Sequence, residues 1–272
     1  MRIDLHIHTD ASDGQWSAAE VIHGAARGGL DVIAIADHDT TRSVEEAREL
    51  GRDLDVQVIP AIEVSSTSES REIHVLGYFV DPDAPSLRDH ESRACRLRED
   101  RMREMVARLV ASGVDVTFEQ VLEQAGGASS TVGRPHLARA LVDQGYASSI
   151  PDAFNAHIGD HRPAFVPTGM MSPEEAVELV LAAGGIPMWA HPPGDLVDQL
   201  LPGMIRAGLG GMEVYRPTTR RNDILRLEGI CRTSGLLMSG GSDWHTPLSG
   251  QALGDFFVTA DEVEGLLAAG GL

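Results

Sequence analysis

Short apolar runs recur along this chain, and nearly every one carries a histidine or a carboxylate near its end. They lie at 3–8, 32–37, 57–64, 73–80, 186–191, 211–215 and 236–240. Each has the length of a buried strand, and amphipathic stretches of helical period separate many of them. This alternation predicts an α/β fold with a parallel sheet, and the number of units predicts a closed or nearly closed barrel. In a parallel barrel the C-terminal strand ends converge on one rim, so side chains far apart in sequence gather at one place.

The rhythm breaks in the middle. Residues 87–165 offer helical patterns at about 87–112, 117–125, 135–144 and 151–158 but no convincing strand. Gly126-Gly127 and Gly133 mark turns within this stretch, and Pro163 to Pro167 marks the return. The chain therefore reads as a barrel formed by 1–86 and 166–272, interrupted by a helical insertion domain at 87–165.

Composition narrows the chemistry. Among 272 residues there are 22 basic and 41 acidic side chains, a net charge of −19, which argues against a protein that wraps duplex DNA by neutralising phosphates. No lysine occurs, so every basic residue is arginine. That excludes a Schiff-base lysine, a Walker-type phosphate loop and a carbamylated-lysine metal bridge. Cys95 and Cys231 are too few for a disulfide framework and stand in no metal-binding pair. The sequence opens into Arg2-Ile3-Asp4-Leu5-His6 without an apolar signal segment and holds no run long enough to span a bilayer, so a cytoplasmic protein with no membrane partner is expected.

His6 and His8 are two apart on the first strand and should project to one side. Asp4 shares that parity, whereas Ile3, Leu5 and Ile7 should take the opposite face beneath helices. Asp13 follows on the next turn; the second strand ends in Asp37-His38-Asp39; Glu63 ends the third; and His74 lies near the start of the fourth. Beyond the insertion come His191, then Asp243 and His245. Histidine and carboxylate ligands without cysteine suit Mn²⁺, Fe²⁺ or Zn²⁺. His6, His8, Asp13, His38, Glu63, His74, His191, Asp243 and His245 are too many for one ion, so two or three divalent ions are expected, with Glu63 bridging. Three such ions and three carboxylates leave a charge of about +3 in a low-dielectric cavity, which favours a phosphate dianion. A pair of ions can also activate water for attack on a phosphate ester.

In order and along nearly the whole chain, these motifs resemble the PHP (polymerase and histidinol phosphatase) family of metal-dependent phosphoesterases. The resemblance rests on Asp-Leu-His-Ile-His, Asp37-His38-Asp39, Glu63, His74, Ala190-His191-Pro192 and Gly241-Ser242-Asp243-Trp244-His245. It implies a distorted (β/α)7 barrel with three metals, manganese foremost. By the same resemblance, His6, His8, Glu63 and Asp243 hold one ion; Asp13, His38 and His245 a second; and Glu63, His74 and His191 a third. His38, His191 and Asp243 are the expected catalytic residues, acting through water activated between ions. Pro193 before Gly194 departs from the shorter His-Pro-Gly common in the family.

Gly133-Arg134-Pro135-His136 in the insertion resembles the subgroup that removes the 3′-phosphate from nucleoside 3′,5′-bisphosphates, some members of which also trim short RNA from its 5′ end. Arg98 and Arg101 are three apart and share a helix face, and Arg134 opens the next helix, so Arg98, Arg101, Arg134 and His136 are the expected substrate-binding residues. Arg93, Arg96, Arg103 and Arg108 crowd the same helix beside acidic partners, a pattern equally suited to a solvated, salt-bridged face. Histidinol-phosphate hydrolysis and exonucleolytic proofreading are alternatives within the family. A non-catalytic, metal-stabilised regulatory module and a carbon–oxygen or carbon–nitrogen hydrolase are alternatives outside it.

Overall fold

The structure is a computed structural model that describes residues 1–69, 71–126, 131–217, 219–247 and 250–272. The first half of the barrel comprises β1 (Arg2–Ile7), α1 (Ala18–Gly28), β2 (Val32–Ile35), α2 (Val44–Asp53), β3 (Gln57–Ser68) and β4 (Arg71–Tyr78). A helical segment follows, made of α3 (Pro85–Ala111), α4 (Phe118–Gln124), α5 (Arg134–Asp143), α6 (Ile150–Ala153) and a π-helical turn, Phe154–Ile158. The chain then returns through α7 (Pro173–Ala182), β5 (Ile186–Trp189), α8 (Val197–Ala207), β6 (Gly211–Tyr215), α9 (Arg221–Ser234), β7 (Leu237–Gly240), β8 (Val258–Thr259) and α10 (Ala260–Ala269). Gly127, expected to mark a turn, lies outside the described residues.

Local signals set the helix ends. Ser17 and Glu20 form a capping box at the start of α1, and Gly29 ends the helix with φ +68°. Ser172, Pro173 and Glu175 open α7 in the same way. None of the described helices is long and apolar enough to cross a membrane.

The strands form one sheet in the order β7-β6-β5-β4-β3-β2-β1-β8, a distorted (β/α)7 barrel with an additional short strand. Two features depart from the sequence reading. First, β4 is antiparallel to both β3 and β5. Ser68 pairs with Arg71, and so tight a connection permits only a hairpin, because parallel neighbours need a crossover of about a dozen residues. Secondly, Ile3 and Leu5 lie inside the barrel, in a cluster that also takes in Val263 and Leu266 of α10. They pack with Ala34, Ala61, Leu76 and Met188 from the other strands, whereas Ile7 packs with Val21, Ile22 and Ile33 in the cluster that includes α1. The register explains this: between Asp4 and Ile7, β1 advances three residues while β2 advances two, from Ile33 to Ile35. The extra residue is a bulge, which resets the side-chain alternation and removes Asp4 from the face of His6 and His8.

Beyond β7 the chain crosses to β1 and closes the rim. His8 N donates to Trp244 O at 2.9 Å, and Asp4 Oδ1 accepts from Ser242 N at 2.8 Å. The helical segment has an apolar cluster of its own around Met105, Leu109, Phe118, Leu137 and Leu141. Leu87, at the start of α3, packs instead with Val80 and Val180 of the barrel.

Gly241 sits where any Cβ would overlap the backbone N and Cβ of His6. Gly241→Ala should therefore cost about 1–3 kcal/mol or more, as overpacked sites do. Thermal unfolding of the purified variant, read as a lowered Tm, checks this.

Candidate metal centre

Above the apolar layer of the barrel, inward positions turn polar on β1, β3, β4 and β6, at His6, Glu63, His74 and Glu213. Glu63 lies two residues beyond Ala61 on β3, and His74 two residues before Leu76 on the reversed β4, so both point inward. The strand reversal is what brings His74, at the beginning of its strand, to the same rim as Glu63. His8, Asp13, His38, His191, Asp243 and His245 arrive on the segments that follow β1, β2, β5 and β7.

These side chains meet in three groups. In the first, Nε2 of His6 is 3.3 Å from Glu63 Oε2 and 3.5 Å from Asp243 Oδ1. Nε2 of His8 lies 3.3 and 3.4 Å from the same two oxygens. Ligand atoms at tetrahedral corners around an ion at about 2.0–2.1 Å stand about 3.3–3.4 Å apart, so the spacing fits one cation. In the second group, Asp13 is 3.2 Å from His245 Nε2, 3.7 Å from His8 Nδ1 and 3.8 Å from His38 Nε2. In the third, Glu63 Oε1 is 3.1 Å from His74 Nδ1 and 2.9 Å from His191 Nε2. Glu63 thus turns one oxygen to each of two groups, and His38 Nδ1 approaches Oε2 at 3.1 Å.

The donor atoms fit cations better than they fit one another. His6 Nε2, both ring nitrogens of His8, Asp13 Oδ1, His38 Nδ1 and Glu63 Oε2 are buried without a hydrogen bond. Their neighbours are close but poorly aligned, as expected of lone pairs converging on shared centres. Orphaned buried polar atoms are costly in a native protein, and a bound ion satisfies them together.

The charge distribution points the same way. Burial opposes ionisation of Asp13, Glu63 and Asp243, yet the surrounding imidazoles hold all three well below the usual carboxylate range. Burial likewise opposes a charged His8, but the oxygens of Asp243 and Glu63 outweigh it and raise its pKa to about 10. His38 goes the other way: burial, with His8 and His74 nearby, lowers it to about 3 despite Glu63 and Asp13. The cavity calls for positive charge, and protons and metal ions compete for it.

Polar side chains behind the groups fix them in place. Asp37 accepts from Thr9 N, Thr9 Oγ1, Ser12 Oγ and Ser43 Oγ. Asp39, at φ +58°, accepts from Ser65 N, His90 Nε2 and the Arg98 guanidinium. Glu213 Oε1 accepts from His6 Nδ1 at 2.8 Å and Oε2 from His191 N at 2.8 Å. Arg216 Nη2 donates to Asp243 Oδ2 at 3.1 Å. Sequence reading missed Glu213 and Arg216, although β6 is the one predicted strand that supplied no ligand and its inward positions were open to inspection.

A cavity of about 160 Å³ opens beside Asp13, His38 and His74 and is walled by Arg98, Arg101 and Arg134. Arg98 is committed to Asp39 and Ser65. Arg101 Nη2 contacts Glu72 Oε1 at 2.7 Å, and Arg134 Nη2 contacts Glu72 Oε2 at 2.8 Å. Glu72, also absent from the expected set, is held well below its ordinary pKa; burial opposes this, but Arg101 and Arg134 outweigh it. His136 does not line this cavity. Its Nδ1 accepts from Gly133 N at 2.8 Å, and the ring borders a separate cavity of about 740 Å³ with Arg139.

The PHP domain matches residues 4–145. A phosphoribosyl 1,2-cyclic phosphate 1,2-diphosphodiesterase from Eggerthella lenta is 34% identical over 89% of this chain and 93% of its own. A 3′,5′-nucleoside bisphosphate phosphatase from Chromobacterium violaceum is 30% identical over 91% of this chain and 88% of its own. The solved structure of a candidate metal-dependent phosphoesterase from Bifidobacterium adolescentis superposes with a TM-score of 0.90 at 32% identity, covering 98% of this chain and 95% of that one.

Because ions must displace the proton that Asp243 and Glu63 keep on His8, divalent metal binding should release protons at neutral pH, and apparent affinity should rise as pH rises. Calorimetric titration of chelator-stripped protein with Mn²⁺, in two buffers of different ionisation enthalpy, measures both effects; equal heats in the two buffers would contradict them.

Proposed function

The chain belongs to the PHP domain family and is a metal-dependent phosphoesterase, and from that premise we propose that it hydrolyses nucleoside 3′,5′-bisphosphates to the 5′-monophosphate and phosphate. The observation that carries this reading is the arginine-walled cavity beside the three ligand groups. Glu72, which gathers Arg101 and Arg134, is two residues from His74 on β4. Residues so spaced share a face about 6.6 Å apart, a step comparable to the separation of the two phosphorus atoms of a ribose 3′,5′-bisphosphate. A phosphate at the ligand groups and a second phosphate at Arg101 and Arg134 therefore belong to one small molecule.

The proposed holders are His6, His8, Glu63 and Asp243 for one ion, Asp13, His38 and His245 for a second, and Glu63, His74 and His191 for a third. Manganese, foremost by the family resemblance, and iron and zinc all suit this mixed nitrogen and oxygen set. When bound, such ions supply Lewis acidity and lower the pKa of water. The protein's own part is orientation. His6, His8 and Glu63 are sealed in the interior, whereas His38, His191, Asp243 and His245 keep part of their surface open. The substrate is accordingly approached from that open side, with His38, His191 and Asp243 framing the scissile phosphate.

Arg134 and Arg101 recognise the 5′-phosphate by guanidinium forks that Glu72 keeps pre-aligned. Arg98, Arg101 and Arg134 are paired with Asp39, Glu72 and Asp160, so their charges are locally matched, and an anion is drawn there by the guanidinium N–H donors together with the proposed ions although the protein as a whole carries −19. We assign the helical insertion, 87–165, the role of a cap that brings these arginines to the rim.

A phosphate-release screen with Mn²⁺-loaded protein tests the reading. The arms are 3′,5′-bisphosphates, 3′-monophosphates, a cyclic phosphate, histidinol phosphate and short 5′-phosphorylated RNA; any arm outranking the bisphosphates would replace the proposal. Arg134→Ala should lower kcat/KM for a bisphosphate by about 10- to 100-fold, the worth of hydrogen bonds to a charged group, while sparing a simple aryl phosphate. Equal losses on both substrates would remove Arg134 from phosphate recognition. His38→Ala and Asp243→Ala should abolish turnover on every phosphate ester while circular dichroism shows the fold retained.

A further inference from the structure

We infer that Glu213 and Arg216 act as a positioning pair that fixes three of the proposed metal ligands, and that they do so for two of the three ligand groups and not for the other. The inference rests on the metal reading above.

Glu213 is buried in β6 and belongs to no ligand group. Its Oε1 takes the Nδ1 proton of His6 at 2.8 Å, which leaves the Nε2 lone pair free to face Glu63 and Asp243. A ring nitrogen so protonated selects the tautomer that can ligate a metal through the other nitrogen. The second oxygen, Oε2, takes the backbone N–H of His191 at 2.8 Å. His191 has φ +30°, a conformation that a histidine holds only when its surroundings enforce it, and it is this backbone that carries the imidazole to Glu63 Oε1. One carboxylate therefore orients a ligand of the first group and a ligand of the third.

Arg216 completes the pair. Its Nε lies 3.5 Å from Glu213 Oε2, and its Nη2 donates to Asp243 Oδ2 at 3.1 Å. Asp243 is thereby left with Oδ1 facing His6 and His8 and with Oδ2 turned away. Arg216 selects which carboxylate oxygen is offered and keeps the residue monodentate. No comparable contact reaches Asp13, His38 or His245 from either residue among the described hydrogen bonds and ion pairs.

The test is titration of chelator-stripped wild type, Glu213→Gln, Arg216→Met and Arg216→Lys with Mn²⁺ alone, recording stoichiometry and stepwise affinity, alongside the Tm of each metal-free protein. Glu213→Gln keeps size and shape but cannot accept both protons. It should weaken two binding steps by about 10- to 100-fold and leave the remaining step unchanged. Arg216→Met should weaken one step, and Arg216→Lys should recover part of that loss. Uniform weakening of every step with a lowered Tm would show a merely structural role and overturn the inference. Wild-type affinities in both Glu213→Gln and Arg216→Met would overturn it as well. A wild-type protein that takes up no Mn²⁺ would instead sink the metal reading, and this inference with it.

Discussion

The rest of the structure depends on three carboxylates and six imidazoles crowded together at one rim, four of the nine buried and the others half-buried. Uncompensated, such a cluster would be strongly destabilising, because each ionised group loses its hydration while its hydrogen-bonding atoms stay unpaired. Glu63 shows the difficulty most clearly: almost wholly enclosed, it turns one oxygen to His6 and His8 and the other to His74 and His191. Divalent ions resolve the conflict by supplying charge and coordination at once. The barrel, the loops at its rim and the polar residues behind them can all be understood as means of holding that cluster together.

The scaffold departs from a regular parallel barrel at the places where the cluster needs it. The bulge in β1 lets Ile3 and Leu5 fill the interior while His6, further along the strand, and His8, just beyond its end, also face inward. The reversal of β4 presents His74 and Glu72 at the rim from the opposite chain direction, setting the ligand beside the residue that gathers two arginines. Positive φ at Asp39, His191 and Asp243 marks the same region as one where local conformational preference yields to the site.

Electrostatics on the two sides of the rim differ in kind. On the side of the insertion, Arg98, Arg101 and Arg134 meet Asp39, Glu72 and Asp160, which hold the guanidinium groups in place. Arg98 is the most tightly held, so its contribution is rigidity at the junction of α3 with β3. On the side of β6, Arg216 faces Glu213 and Asp243 and belongs to the ligand cluster itself. An acidic protein thus gathers three arginines at one recess, where local pairing and low dielectric outweigh distant surface charge.

Much of this was legible in the sequence. Strand and helix positions follow from hydrophobic period, and the recurrence of histidine and carboxylate near strand ends identifies the cluster because a barrel brings such ends together. The absence of lysine likewise bounds the chemistry without any structure. Tertiary structure alone decided the rest. Whether β4 runs with or against its neighbours depends on the pairing of Ser68 with Arg71, and which face of β1 looks inward depends on a single extra residue, neither of which alters the apolar pattern. Glu72, Glu213 and Arg216 look like ordinary charged residues in the chain. Their roles are set by partners tens or hundreds of residues away, and a pairing energy that exists only after folding leaves no trace in local periodicity.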